Sequence, residues 1–159
     1  MNPFLLLTAF AAGAAISVQA AVNSRLAAGL GGNTVAAGFL SFLVGTVALA
    51  AIAVGKGGLA SAVASLPGQP AWRFTGGLLG AAAIFCTVLL APRIGIANML
   101  ALVIMGQLFT SLAIDQFGIA GMAVRPLTGV KVAGAAVILG GVLLTLFGDR
   151  AMALLARQG

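Results

Sequence analysis

Histidine is absent from this 159-residue chain, cysteine occurs once (Cys86), and there are only two acidic residues. Each shortage removes a class of chemistry. Without histidine the chain lacks the usual proton shuttle and the commonest metal ligand. A lone cysteine builds neither a disulfide framework nor a thiolate metal site. Little remains from which to assemble a soluble-type active site, so neither catalysis nor a bound cofactor is expected. Charge is scarce as well: 6% of residues are charged, against about 25% in an average soluble domain. A soluble globule of this composition could not cover its surface, whereas an integral membrane protein uses lipid as its solvent. The 62% hydrophobic content and the mean hydropathy of +1.20 point the same way. The net charge of +6 does not mark a nucleic-acid binder. The Lys and Arg residues are scattered through the connections, with no cluster and no aromatic or Gly-Lys motif beside them. They are the ordinary flanks of membrane spans.

What the chain does have is apolar sequence in long runs. Five of them, residues 3–22, 35–54, 74–91, 95–115 and 132–147, are separated by turns rich in Gly, Pro and Arg. They predict an all-α integral membrane protein with one transmembrane domain of five helices. About twenty residues at roughly 1.5 Å each cross a hydrocarbon core of about 30 Å. A cleaved signal peptide competes for the first run, since Val18-Gln19-Ala20 has the form of a cleavage site. Met1-Asn2-Pro3 carries no basic residue, however, and four more runs follow, which favours a retained helix. Asn33-Thr34 reads as the N-cap of the second span. In the long connection 55–71, residues 59–66 suit a short helix at the interface, and Trp72 and Arg73 are expected as anchors at the membrane surface. Pro92-Arg93-Ile94-Gly95 reads as a tight turn that makes spans three and four an antiparallel hairpin. Asp149, Arg150 and Arg157 are expected in a short amphipathic tail. Gly13, Gly45, Gly76, Gly77 and Gly80 lie on small-residue faces of the kind that let helices approach closely in lipid. Cys86 lies mid-span and reads as filler.

Against this background the stretch Ile104–Gly118 stands out, because it carries Gln107, Thr110, Ser111 and Asp115. At roughly 100° per residue these four share one helix face about 140° wide, interrupted only by Ile114. Lipid cannot pair such groups, so the face should meet protein or water. Gln19 and Asn23, at i and i+4 near the end of span one, form a second polar pair. Either set could make interhelical hydrogen bonds or line a substrate path, and Asp115 could either guard an entrance or be solvated at the end of its span.

Five spans place the termini on opposite sides. With the N-terminal side called A and the other B, side A holds Lys56, Arg73, Arg125 and Lys131, and side B holds Arg25, Arg93, Arg150 and Arg157. Orientation follows the Lys/Arg imbalance between the two sides, and here none exists. Such a balance suits either a chain oriented by its first helix or one that inserts both ways and pairs with an inverted copy of itself.

Four motifs carry a resemblance: Gln19-x-x-x-Asn23-x-x-Leu26, Gly76-Gly77-x-x-Gly80, Ala91-Pro92-x-x-Gly95, and Gly106-Gln107 followed by Ile114-Asp115-x-Phe117-Gly118. With this spacing along the whole chain, the sequence resembles the YdcZ-like branch of the drug/metabolite transporter superfamily. The resemblance implies a bacterial inner-membrane protein built as a half-transporter unit, two of which, as an antiparallel homodimer or a heterodimer with a related five-helix chain, pack in opposite orientation. Four-helix relatives, the small multidrug resistance proteins, carry a membrane-embedded Glu in the first helix. This chain has Gln19 and Asn23 there instead, which argues against proton-coupled cation export. The expected function is secondary transport of a small organic solute or drug-like compound along a path of Gln19, Asn23 and Gln107. A passive dimeric channel or a non-transporting subunit are the alternatives, although the charged ring or filter loop expected of a channel is missing.

Overall fold

The computed structural model describes residues 2–156, which are helical almost throughout and contain no strand. Six α-helices follow in order: α1 (Pro3–Gly29), α2 (Thr34–Lys56), α3 (Leu59–Ala64), α4 (Thr75–Ile94), α5 (Ile96–Phe117) and α6 (Gly129–Ala156). All but α3 are long and apolar enough to cross a membrane, α4 together with the short 3-10 turn that precedes it. In lipid, a helix satisfies its backbone polar groups internally, which is why apolar runs of this length settle as helices. Large apolar side chains are exposed along every one of the five, from Phe4 and Leu7 on α1 to Leu144 and Leu155 on α6. A helix apolar on all sides is suited to lipid and not to water.

The helices outrun the apolar stretches that announce them. α1 continues through Asn23, Ser24 and Arg25 to Gly29, and α6 through Asp149 and Arg150 to Ala156. A helix needs an apolar surface only where it meets lipid, so polar turns extend it at the water side. Arg157 lies outside the described residues. Asn33 caps α2 as its position suggests, its Oδ1 accepting from the Ala36 amide at 2.9 Å. The short helix expected over 59–66 is present as α3, followed by a 3-10 turn at Leu66–Gly68. The turn expected at Pro92–Gly95 is smaller than its sequence suggests. Pro92 lies inside α4, which runs to Ile94, and Gly95 alone breaks the helix with φ +83°. In the last turn a proline forfeits its own amide hydrogen bond and crowds the Val88 carbonyl, but it leaves only two residues of helix to disrupt after it.

Two compact units divide the chain at Arg93 and Ile94. In the first, α1 packs on α2, and the core is a small cluster of Ala27, Ala37 and Val88, with Leu26 and Ile84 against it. Alanines let α1 and α2 come close where α4 supplies the branched side chains. In the second unit α5 packs on α6; Met99 on α5, and Ala135 and Val142 on α6, are buried.

Candidate functional site

The polar arc of α5 is real, but its members differ in how they are satisfied. Gln107 is the twelfth of the 22 residues of α5, at the middle of the helix. It is exposed and forms no hydrogen bond with another described residue. Thr110, one turn on, is also exposed. Ser111 turns its hydroxyl back to its own helix, donating to the Leu108 carbonyl at 2.8 Å. Thr8, Ser17, Thr87 and Thr145 do the same on other helices. A carboxamide, with two donor hydrogens and an acceptor, cannot be satisfied by one such carbonyl.

Asp115 sits in the last turn of α5 and belongs to a different construction. Its carboxylate lies 3.8 Å from Lys131 Nζ at the start of α6, both side chains retaining more than a third of their surface. A pair this exposed contributes about 0–1 kcal/mol. The neighbouring bonds are shorter: the Arg125 amide donates to the Asp115 carbonyl at 2.7 Å, and the Leu127 amide donates to Gln116 Oε1 at 2.7 Å. Gly118 ends the helix at φ +62°, and a Cβ there would lie 2.9 Å from Val124 Cγ2 and 3.0 Å from the Met122 carbonyl oxygen. Ala120 also adopts a left-handed conformation, at φ +59°. The run Asp115-Gln116-Phe117-Gly118 thus folds the connection between α5 and α6 back over the end of α5. Gln116 escaped the sequence reading; a second polar residue in the final turn ahead of a glycine was the signal for it.

On α1 the polar pair is divided. Asn23 is buried, at 4% exposure, in a stripe with Ala20 and Ala27, whereas Gln19 one turn earlier is exposed. Gln19 is the seventeenth of the 27 residues of α1, within a turn of its middle. No Asn23 polar atom is sealed away without a partner.

The glycine faces also separate. A Cβ added at Gly13, Gly45, Gly76 or Gly77 would meet nothing within 4 Å. A Cβ at Gly80 would lie 3.7 Å from Phe42 Cζ on α2, and one at Gly38 would lie closer to its neighbour, 3.3 Å from Ile84 Cγ2. Trp72 and Arg73 occupy a 3-10 turn ahead of α4, with the guanidinium carbon 5.6 Å from the indole centroid and Arg73 Nη1 donating to Gln69 Oε1. Amphipathic side chains grouped this way suit a headgroup region. No cluster of three metal-ligating side chains occurs among the described residues.

Residues 4–144 match the family model described as "Putative inner membrane exporter, YdcZ". That is most of the chain, and the protein belongs to this family. It is a multi-pass transport protein of the inner membrane, as the motifs in spans one, three and four imply. No curated protein and no solved structure shows a significant match.

Proposed function

We propose that this inner-membrane exporter is a secondary-transporter unit that moves a small organic solute and is completed by a second five-helix chain inserted in the opposite orientation. The observation that carries the reading is Gln107: an exposed, unpartnered carboxamide at the centre of an otherwise lipid-compatible helix. A polar group left at that depth in hydrocarbon costs several kcal/mol, on the order of a lost hydrogen bond or more. It therefore implies a partner helix or a wet path at the middle of the membrane. Gln19, exposed near the water-side end of its apolar run, would join the path closer to the membrane surface. The midplane is the one depth that inversion leaves unchanged, so central carboxamides of two opposed chains share a level. Substrate sites of inverted-repeat transporters lie at that level.

On this reading the expected path narrows. Gln107 and Gln19 are its strongest members, with Thr110 beside the first. Asn23 serves packing within the first unit, and Asp115 stands at the membrane surface with Lys131. Small organic solutes suit carboxamides, which offer donors and acceptors without a fixed charge. The protein works by moving its solute and not by transforming it: two carboxylates and no histidine leave no acid–base pair at the path. An antiparallel homodimer accounts for the even Lys/Arg balance between the two sides, and a heterodimer with a related chain would meet the same geometric need.

Reconstitution tests this. Solutes that raise the thermal stability of the purified protein should enter proteoliposomes at a saturable rate, and Gln107→Leu should lower that rate at least tenfold while unfolding at the wild-type temperature. If stabilising solutes show no protein-dependent flux, the transport reading fails.

A further inference from the structure

The two faces that α2 and α4 turn toward each other touch along one seam and stand apart beside it. The seam is Gly38 against Ile84 and Phe42 against Gly80, with the approach distances given above. Gly38 is buried, so its lack of a side chain is used by the contact. Gly77 is different: nothing lies within 4 Å of the place a Cβ would take. Beside the seam this leaves a groove of about 590 Å³, whose walls include Phe39, Phe42 and Phe85 and whose helix end carries Thr34. Its volume falls within the roughly 300–1,000 Å³ of small-molecule sites.

We infer that this groove is a binding site for a neutral aromatic molecule, distinct from the carboxamides of the transport path. Three of the nine phenylalanines of the chain line this one space. Ring pairs in offset or edge-to-face arrangements gain about 0.5–1.5 kcal/mol beyond area burial. None of the lining residues is ionisable. A charged ligand would have no counter-ion there and would lose its hydration without return. The polar side chain at the site is Thr34, in the first turn of α2, whose hydroxyl bonds to no other described residue and can receive one donor or acceptor of the ligand. A lipid acyl chain fits the groove less well. It is already in an apolar solvent and gains no hydrophobic driving force by leaving it, whereas a flat ring gains the stacking and the hydroxyl contact.

The test uses the full-length protein in nanodiscs and N-phenyl-1-naphthylamine, a neutral two-ring fluorophore with one N–H donor. Its fluorescence should rise saturably, with one site per chain. Gly77→Leu fills the groove from an open position and should weaken binding at least tenfold. Phe39→Ala removes an exposed ring that supports no fold and should weaken it about threefold or more, which keeps the test decisive if Gly77→Leu does not fold. Thr34→Val should weaken it severalfold, and an analogue bearing a trimethylammonium group should bind at least tenfold less tightly. The inference is overturned if there is no saturable component, if Gly77→Leu and Phe39→Ala bind as the wild type does, if short-chain phospholipid displaces the dye competitively, or if the cation binds better. Dye binding without solute flux would instead count against the transport reading, and flux without dye binding against this one.

Discussion

Gly118→Ala should be the most damaging single-methyl change in the second unit. The position has φ +62°, and a Cβ would lie 2.9 Å from Val124 Cγ2 and 3.0 Å from the Met122 carbonyl oxygen. Holding an alanine in the left-handed region costs about 1–2 kcal/mol. The two close contacts differ in kind. Val124 is 62% exposed and can rotate away, but the Met122 oxygen is backbone and can yield only by moving the connection. Overpacking of this sort costs about 1–3 kcal/mol. The total expected is about 2–4 kcal/mol, since only one of the contacts persists. Gly121→Ala is the matched control: its φ is +77°, but a Cβ there meets nothing within 4 Å, so only the backbone cost of about 1–2 kcal/mol applies. Reversible unfolding in mixed dodecyl-sulfate and neutral-detergent micelles measures both. Combining Gly118→Ala with Val124→Ala should recover little, because the carbonyl contact remains. Equal losses for Gly118→Ala and Gly121→Ala, or a Gly118→Ala protein as stable as the wild type, would refute the argued packing of this turn.

Other outcomes follow from the same geometry. Asn33→Ala removes the side-chain cap of α2 and should cost about 1 kcal/mol in the same unfolding assay. Lys131→Ala should cost less than about 1 kcal/mol, because both side chains of the pair with Asp115 are more than a third exposed; a larger loss would mean that the pair is buried in the working assembly. Ser41→Ala should leave both flux and stability near wild type, in contrast to Gln107→Leu, and a Ser41→Ala protein without flux would shift the path toward α2.

Much of this arrangement is legible in the amino-acid sequence. Five apolar runs announced five crossing helices, Asn33 announced its cap, and the interval of Gln107, Thr110 and Ser111 announced a polar arc. What escaped is what composition does not encode. The water-side ends of α1 and α6 carry polar residues that hydropathy assigns to loops, yet a helix already formed continues through them. Pro92 looked like a stop, but so close to the end of α4 it breaks almost nothing. Gln19 and Asn23 share one face by spacing, but only the position of neighbouring helices decides that one is buried and the other free. The role of Gln116 depends on a bond to Leu127, eleven residues on, which no local pattern reveals.

The claim that two oppositely inserted units make one transporter is tested most directly by fixing orientation. One variant carries Ser61→Lys and Ser65→Lys on side A, and the other carries Ala28→Lys and Leu30→Lys on side B, so each should insert one way only by the excess of positive charge on its cytoplasmic side. An N-terminal tag, tested for protease access on each face of the membrane, reports the orientation. The account predicts that wild type shows both orientations, that each variant alone loses solute flux, and that co-expression restores it. Full flux from one fixed-orientation variant alone would contradict it.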